Sequence, residues 1–227
     1  MQVSFYCLDD DIIQKLATCN LFYDTLNSLD IEAKQVKILE TFKDRWENKI
    51  RRKRSNQELS QKDINKALKV ASNLSIVSAN KFNSSMNNLY FKLSDYTKKS
   101  NDKKKSIDWG EALLISYVSI LNQKGNNHYF LTGDKRCLKA LNNSGLSDVI
   151  ESLQEKVWCL EQLILKNIEK IGFENVKNKF VPVNYCDKAL KKVFSQETEQ
   201  ESRCTLIKYI ENLRKDTGNL LNSYGNK

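Results

Sequence analysis

Glycine and proline are scarce in this chain, which has seven glycines and a single proline among 227 residues. An all-β protein needs many tight turns, and those turns draw on both residue types, so that fold class is disfavoured. The long polar stretches with few helix breakers favour helices instead. No apolar run reaches membrane-spanning length, and Asp9, Asp10 and Asp11 fall where the apolar core of a signal peptide would lie. We therefore expect a helix-rich cytosolic protein.

Histidine and closely spaced cysteines are also missing. His128 is the only histidine, and no two of the six cysteines form a C-x-x-C pair. A zinc site is therefore not expected, because it needs closely spaced Cys or His ligands that the chain lacks. A Ser–His–Asp triad is not expected either, because the one histidine precedes a strand and is a poor candidate for a catalytic base. A disulfide framework is not expected at this length and spacing. Cys7, Cys137 and Cys159 have apolar neighbours in the sequence and are predicted to be buried as small hydrophobic residues.

Positive charge is in excess, with 37 lysines and arginines against 28 acidic residues. Nucleic acid is the commonest partner that rewards such a surplus, although plain solubility explains it equally well. Basic segments at 49–54 and 98–105 could hold phosphates, but a solvated helix end and a solvated loop account for the same charges. The candidate nucleic-acid-binding residues are Arg51, Arg52, Lys53, Arg54, Lys103, Lys104, Lys105, Lys135 and Arg136.

Strand-like and helix-like segments alternate through most of the chain, which predicts an α/β fold with a small central parallel sheet. The expected strands are 3–8, 74–77, 128–132 and 157–160. The expected helices are 31–54, 63–71, 80–96, 108–121, 135–142, 147–154, 161–171, 185–195 and 199–221. We expect one domain over residues 1–170 and a helical carboxyl-terminal extension over 171–227. That extension either covers the domain or forms an arm that binds a partner.

Acidic residues stand at three of these element boundaries. Asp9 follows the first strand, Asp134 follows strand 128–132, and Glu111 opens the helix that begins at Asp108. Open α/β sheets bind ligands at the carboxyl ends of their strands, and Mg²⁺ or Mn²⁺ prefers carboxylate oxygens. These segments are therefore predicted to meet around a divalent cation. Helix capping explains each acid separately, since Asp108 and Glu111 fit a capping box and the other two fit N-caps.

The order of the three motifs, Leu8–Ile13, Asp108–Ala112 and Leu131–Arg136, resembles that of the PIN-domain nucleases over about residues 1–165. The resemblance implies a PIN-like fold and a divalent-metal-dependent nuclease that cuts RNA in preference to DNA. It also implies roles for individual acids. The implied catalytic and metal-binding residues are Asp9, Glu111 and Asp134, with Asp108 as an additional metal ligand and Asp11 as a weaker candidate.

The chain departs from the family after Asp134, where Lys135 and Arg136 occupy positions at which the family often has a fourth acid. A one-metal enzyme, a fourth acid supplied by Asp108 or Asp148, and weak activity all remain open. A catalytically inactive PIN-like protein that binds nucleic acid or acts as a scaffold is the alternative. The chain could also be the toxic or effector half of a toxin–antitoxin or defence pair, with the helical extension docking a partner or antitoxin. Trp109 is expected in the core or in a hydrophobic staple rather than as a base-stacking platform.

Overall fold

A computed structural model of the protein describes residues 3–51, 60–99 and 106–225. Its centre is a five-stranded, wholly parallel sheet with the strand order β3-β2-β1-β4-β5. The strands are β1 (Phe5–Leu8), β2 (Val36–Leu39), β3 (Ser75–Val77), β4 (His128–Thr132) and β5 (Val157–Cys159). The predicted α/β class, with a small central parallel sheet flanked by helices and a helical carboxyl-terminal part, is confirmed.

Twelve α-helices occur in the described residues and cover the sheet. They are α1 (Asp10–Thr18), α2 (Phe22–Ser28), α3 (Phe42–Arg51), α4 (Gln61–Ala71), α5 (Ser84–Lys99), α6 (Trp109–Gln123), α7 (Lys135–Asn142), α8 (Ser147–Ser152), α9 (Leu160–Ile171), α10 (Phe173–Phe180), α11 (Lys188–Phe194) and α12 (Glu199–Thr217). Short 3₁₀ segments lie at Ala33–Gln35, Ala79–Lys81 and Val181–Cys186. No helix in this part of the chain is both long and apolar enough to span a membrane.

The neighbouring strands β1 and β4 are buried on both faces in their carboxyl-terminal halves. Cys7 and Phe130 are fully buried, and Leu8 and Leu131 are 1% exposed. Burial of both faces is usual where helices cover both sides of a parallel sheet. The strands pair in register from Phe5 with His128 to Leu8 with Leu131, so they end side by side. After β1 the chain forms β2 and β3 on one side of it, whereas β4 and β5 lie on the other side. The topological switch point is therefore between the carboxyl ends of β1 and β4.

The predicted long helix over residues 31–54 is wrong in its first half. Residues 36–39 form β2, which pairs with both β1 and β3, and α3 begins only at Phe42. The apolar residues Val36, Ile38 and Leu39 are nearly fully buried in the sheet. Their spacing suits a short buried strand as well as a helix, and only pairing with the neighbouring strands decides between the two.

The carboxyl-terminal part packs on the rest of the molecule. Leu206 and Ile210 of α12 are fully buried, and Phe180 packs against Phe194 with 5.0 Å between their ring centroids. After α12, a bridge joins Leu221 to Val157, so the tail extends the sheet at β5. The extension therefore covers the domain, which was one of the two expected arrangements. The predicted burial of Cys7, Cys137 and Cys159 is also confirmed.

Candidate active site

An open cleft of about 520 Å³ lies at the carboxyl ends of β1 and β4. It is bordered by residues from four parts of the chain: Asp9, Asp10, Asp11, Gln14, Lys15, Arg45, Trp46, Asp108, Glu111, Gly133 and Asp134. The helix α6 leads into β4 and therefore begins at the same edge of the sheet at which β4 ends. The topology thus brings Glu111, near the start of α6, to the acids that follow the two strands.

Asp9 sits where β1 passes into α1. Its backbone N–H donates to the carbonyl of Leu131 at 2.9 Å, which holds the end of β1 against β4. Its carboxylate accepts hydrogen bonds from the backbone N–H of Asp10 at 2.8 Å and from the Thr132 hydroxyl at 3.3 Å. That hydroxyl also accepts a bond from the Asp134 backbone N–H at 3.0 Å. Thr132 therefore links the turns that carry the first and third predicted acids.

Glu111 and Asp108 form the predicted capping box at the start of α6. The Glu111 carboxylate accepts from the Asp108 backbone N–H at 2.8 Å, and the Asp108 carboxylate accepts from the Glu111 N–H at 2.9 Å. Glu111 is only 1% exposed. These two hydrogen bonds fix both side chains in place, and the Glu111 carboxyl group is almost completely buried.

All three capping predictions are confirmed. Asp9 caps α1, Asp108 caps α6, and Asp134 caps α7 by accepting from the Arg136 backbone N–H at 2.7 Å and from that of Cys137 at 3.3 Å. The same residues also border one cleft. Capping therefore explains how each carboxylate is oriented, and the sheet topology explains why the carboxylates lie together.

Three acids of the cleft are neutralised by ion pairs. Asp10 pairs with Arg45 at 2.6 Å and Asp11 with Lys15 at 2.8 Å, and Lys15 also contacts Asp187 at 2.8 Å. The third pair joins Asp134 to Arg136 through several contacts. For the other three acids, Asp9, Asp108 and Glu111, no cation of the described ranges lies within ion-pair distance. The cleft therefore holds more acidic side chains than cationic ones.

Burial raises the pKa of Asp9 to about 8, with further increases from the charges of Asp10, Asp11 and Asp108. Burial likewise raises the pKa of Glu111 to about 9, and the neighbouring acids Asp9, Asp108 and Asp134 add to it. Without a cation, both carboxyl groups hold protons at neutral pH. A bound cation would favour the charged forms and release those protons.

Asp134 behaves in the opposite way. Its burial favours the neutral form, but hydrogen bonds and charge from Arg136, together with the backbone N–H groups of α7, hold its pKa below the usual range. Asp134 is therefore an ionised carboxylate that already has a partner. Any other cation has to compete with the Arg136 guanidinium for it.

The donor chemistry of the cleft fits a hard divalent cation, because carboxylate oxygens are the ligands that Mg²⁺ and Mn²⁺ prefer and binding of the cation would favour the ionised forms of Asp9 and Glu111. The side-chain positions fit less well. Within residues 3–51, 60–99 and 106–225, no group of three or more His, Cys, Asp or Glu side chains is arranged to enclose a metal ion. The Asp134 carboxylate is already paired with Arg136.

The other predicted site residues lie in different surroundings. Asp148 borders a separate groove beside α5 and α8, so it is not the fourth acid of the cleft. Lys135 points away from Asp134 and pairs with the buried Glu161. Trp109 was expected in the core or a staple, and this was wrong, because its side chain is 45% exposed at the first position of α6.

Several basic residues that were proposed to bind nucleic acid cannot be placed. Residues 52–54 and 103–105, which include Arg52, Lys53, Arg54, Lys103, Lys104 and Lys105, lie outside the described residues. Arg51 ends α3, and its side chain is likewise outside the described part. Their role in binding phosphates stays a prediction.

The sequence argument missed Arg45, Lys15 and Asp10 as members of the cleft. Lys15 carried a usable signal, since it follows Asp11 by one helical turn and such pairs face each other. Arg45 carried none, because its partner Asp10 is far away in the sequence and the helical pattern around Arg45 does not indicate the contact. Its approach depends on tertiary packing of α3 against the start of α6.

Comparisons of the chain with protein-family models, with curated proteins and with solved structures found no significant match.

Proposed function

We propose that the protein is a divalent-metal-dependent nuclease that hydrolyses phosphodiester bonds, in RNA in preference to DNA. The observation that supports this most is the pair of buried carboxyl groups, Asp9 and Glu111, that border one cleft at the switch point without a cationic partner in the described residues. The resemblance of the three acidic motifs to those of PIN-domain nucleases points to the same chemistry and is the ground for preferring RNA.

Asp9 and Glu111 are the residues assigned to hold Mg²⁺ or Mn²⁺, with Asp108 and Asp134 as further ligands after side-chain rotation. A cation bound there would neutralise charge on the scissile phosphate and favour ionisation of the attacking water. The hydrogen bonds from Thr132 to Asp9 and between Asp108 and Glu111 hold the two main ligands in place before any ligand arrives. Such preorganisation lowers the cost of assembling the site.

Arg136 is placed to respond to substrate. Its side chain is 59% exposed while it holds the Asp134 carboxylate. A phosphate group entering the cleft offers the guanidinium another anionic partner of matching geometry. Transfer of Arg136 from the carboxylate to the phosphate would release Asp134 toward the cation. In this proposal the departure from the family pattern couples substrate binding to completion of the metal site.

A non-catalytic protein that binds nucleic acid or acts as a scaffold is the second candidate. It is favoured by the ion pair between Asp134 and Arg136 and by the absence, in the described residues, of an acidic group already arranged around a metal. In that case the acids serve as helix caps alone.

The two candidates separate in a cleavage assay. End-labelled single-stranded RNA and DNA are incubated with Mn²⁺ or Mg²⁺ and with the wild type, Asp9→Asn or Glu111→Gln. Asp148→Asn is the matched control, because that aspartate is exposed and lies outside the cleft. The proposal predicts that both cleft variants lose on the order of a hundredfold or more of the activity, that the control keeps it, and that EDTA abolishes it.

Equal cleavage by all variants would indicate a contaminant and would refute the site assignment. Binding of RNA without cleavage would favour the scaffold. A toxic or effector role in a toxin–antitoxin or defence pair is part of the proposal, and it predicts that a partner protein co-purifies with the chain.

A further inference from the structure

The exposed tryptophan beside the cleft differs from the other two in the chain. Trp46 is 3% exposed and Trp158 is 7% exposed, whereas Trp109 is 45% exposed. Trp109 directly follows Asp108, and its ring lies near the guanidinium of Arg45, so the indole is next to two residues that border the acidic cleft. Exposing a large aromatic surface to water is unfavourable, and here it occurs at the rim of the proposed active site.

Arg45 connects this indole with the cleft. Its guanidinium carbon lies 5.9 Å from the centre of the Trp109 ring, and its Nη2 atom pairs with Asp10 at 2.6 Å. The approach is close enough that a Cβ atom at Gly110 would lie 3.1 and 3.2 Å from the two terminal guanidinium nitrogens. A glycine at this position therefore lets the arginine side chain lie against the first turn of α6. The result is an aromatic surface next to a positive charge at the border of an anionic site.

We propose that Trp109 is a stacking platform for an unpaired nucleobase, and hence that the substrate is single-stranded nucleic acid. This inference rests on the proposed nuclease function. A phosphate held in the cleft places the adjoining base at its rim, where the indole offers a flat face and Arg45 a charge near the backbone. Bases in a duplex are already stacked on each other, so only an unpaired base can use this surface. Stacking does not read sequence, because every base has an aromatic face.

Binding is tested by fluorescence anisotropy with a short labelled RNA strand, the DNA strand of the same sequence, and the corresponding duplexes. The proteins are the full-length wild type, Trp109→Ala and Trp109→Phe, and Ca²⁺ or EDTA replaces the activating metal. We expect Trp109→Ala to weaken binding of both single strands by roughly tenfold or more and to leave duplex binding unchanged. Trp109→Phe retains an aromatic face and should recover most of the affinity.

Equal single-strand affinity of the wild type and Trp109→Ala overturns the inference, and so does an equal loss of duplex affinity. Because binding is measured without cleavage, the two proposals can fail separately. If binding depends on Trp109 but no cleavage occurs, the nuclease function is refuted and the stacking role of Trp109 is supported. If cleavage is unaffected by Trp109→Ala, the nuclease function is supported and the stacking role is refuted. Thermal denaturation of each variant confirms that the exposed position has been changed without loss of the fold.

A second inference comes from two thiols at the carboxyl-terminal end of α1. The Sγ atoms of Cys19 and Cys186 lie 3.5 Å apart although the residues are 167 positions apart in the sequence. Cys19 follows α1 and is 2% exposed, and Cys186 ends the 3₁₀ segment of the carboxyl-terminal part and is half-buried. The next residue, Asp187, binds Lys15 of α1 at 2.8 Å and so holds the two segments together.

We infer that Cys19 and Cys186 are a site of reversible disulfide formation. A peroxide reaches the more accessible Cys186 first: its sulfur takes one oxygen from hydrogen peroxide to give a sulfenic acid, and water leaves. The Cys19 sulfur then attacks the sulfenic sulfur, the S–O bond breaks, and a second water forms from the hydroxyl and the Cys19 proton. Two thiols lose two electrons in all, and the peroxide accepts them. The bond would tie α1 to the carboxyl-terminal extension.

The test treats the folded, full-length protein with hydrogen peroxide and maps disulfides in non-reduced digests by mass spectrometry. We expect a linked pair of peptides containing Cys19 and Cys186, a higher thermal midpoint, and reversal of both by dithiothreitol. Cys19→Ser should abolish the linked pair, whereas Cys204→Ser, which changes an exposed cysteine, should not. Oxidation of Cys186 to sulfinic acid without the linkage would overturn the inference.

Discussion

Raising the pH is expected to destabilise the folded protein when no divalent cation is bound. The pKa of Asp9 is about 8 in the folded state against an ordinary value of 3.8, and that of Glu111 is about 9 against 4.5. At a pH between the ordinary pKa and the folded-state pKa of each group, the folded protein holds a proton that the unfolded chain has released. The free energy of unfolding therefore falls as the pH rises from about 4 toward about 8 to 9. For a carboxylate that the fold stabilises in its charged form, the free energy of unfolding would instead rise with pH.

The expected size follows from the number of protons involved. Each proton held only by the folded state lowers the free energy of unfolding by about 1.4 kcal/mol per pH unit. When the pH rises from about 5.5 to 7.5, one such proton lowers the free energy of unfolding by about 3 kcal/mol, and two lower it by up to about 5 kcal/mol. Losses of this size are a large part of the total stability of an ordinary domain. A divalent cation added at the upper end of the range should restore much of the loss.

The assay is urea unfolding in EDTA at several pH values in this range. Asp9→Asn should reduce the slope by about one proton and should be more stable than the wild type at the upper end. The matched control is Asp63→Asn. Although Asp63 is buried, hydrogen bonds from Tyr185 and Ser60 hold its pKa below the usual value, so it is ionised throughout and its replacement should leave the slope unchanged. A wild-type stability that is flat or rises with pH would refute the reasoning, as would an unchanged slope in Asp9→Asn.

Three further predictions concern the surroundings of the cleft and the extension. A Cβ at Gly133 would lie 2.3 Å from the Asp11 carboxylate, so Gly133→Ala should cost about 1–3 kcal/mol in urea unfolding, with a coupling energy to Asp11→Ala in a double-mutant cycle. Phe180→Ala should cost about 3–5 kcal/mol and keep a single unfolding transition, because this fully buried ring belongs to one core; two transitions would contradict that. Arg136→Ala should tighten Mn²⁺ binding in calorimetry by about three- to tenfold by freeing Asp134, and unchanged or weaker binding would contradict the proposed competition.

Elements with strong local signals were predictable from the sequence. The strand over residues 128–132 and the helix over 135–142 have the predicted ends, because a turn with Gly133 and a capping aspartate separate them. The capping box at Asp108 and Glu111 was predictable for the same reason, since all its partners lie within four residues. The grouping of these acids in one cleft was predicted from their positions at the boundaries of strands and helices, because open parallel sheets bind ligands at the carboxyl ends of their strands.

Features that depend on distant contacts were not predictable. The short strand β2 was assigned to a helix because its apolar spacing fits both structures. Its pairing with β1 and β3 is not indicated by the residues near it in the sequence. The ion pairs of Arg45 with Asp10 and of Lys15 with Asp187 join segments far apart in the sequence. The exposure of Trp109 has the same origin, since a tryptophan at a helix start suits a core position and a cleft rim equally well.

In the proposed function, the acids at the ends of β1 and β4 and at the start of α6 hold a divalent cation. The most direct test is the anomalous scattering of manganese in crystals soaked with Mn²⁺ above neutral pH. We expect one peak in the cleft at ~2.0–2.6 Å from carboxylate oxygens of Asp9 and Glu111, and no such peak in Asp9→Asn crystals. A cleft without manganese in the wild type, or a peak that survives in Asp9→Asn, would contradict it.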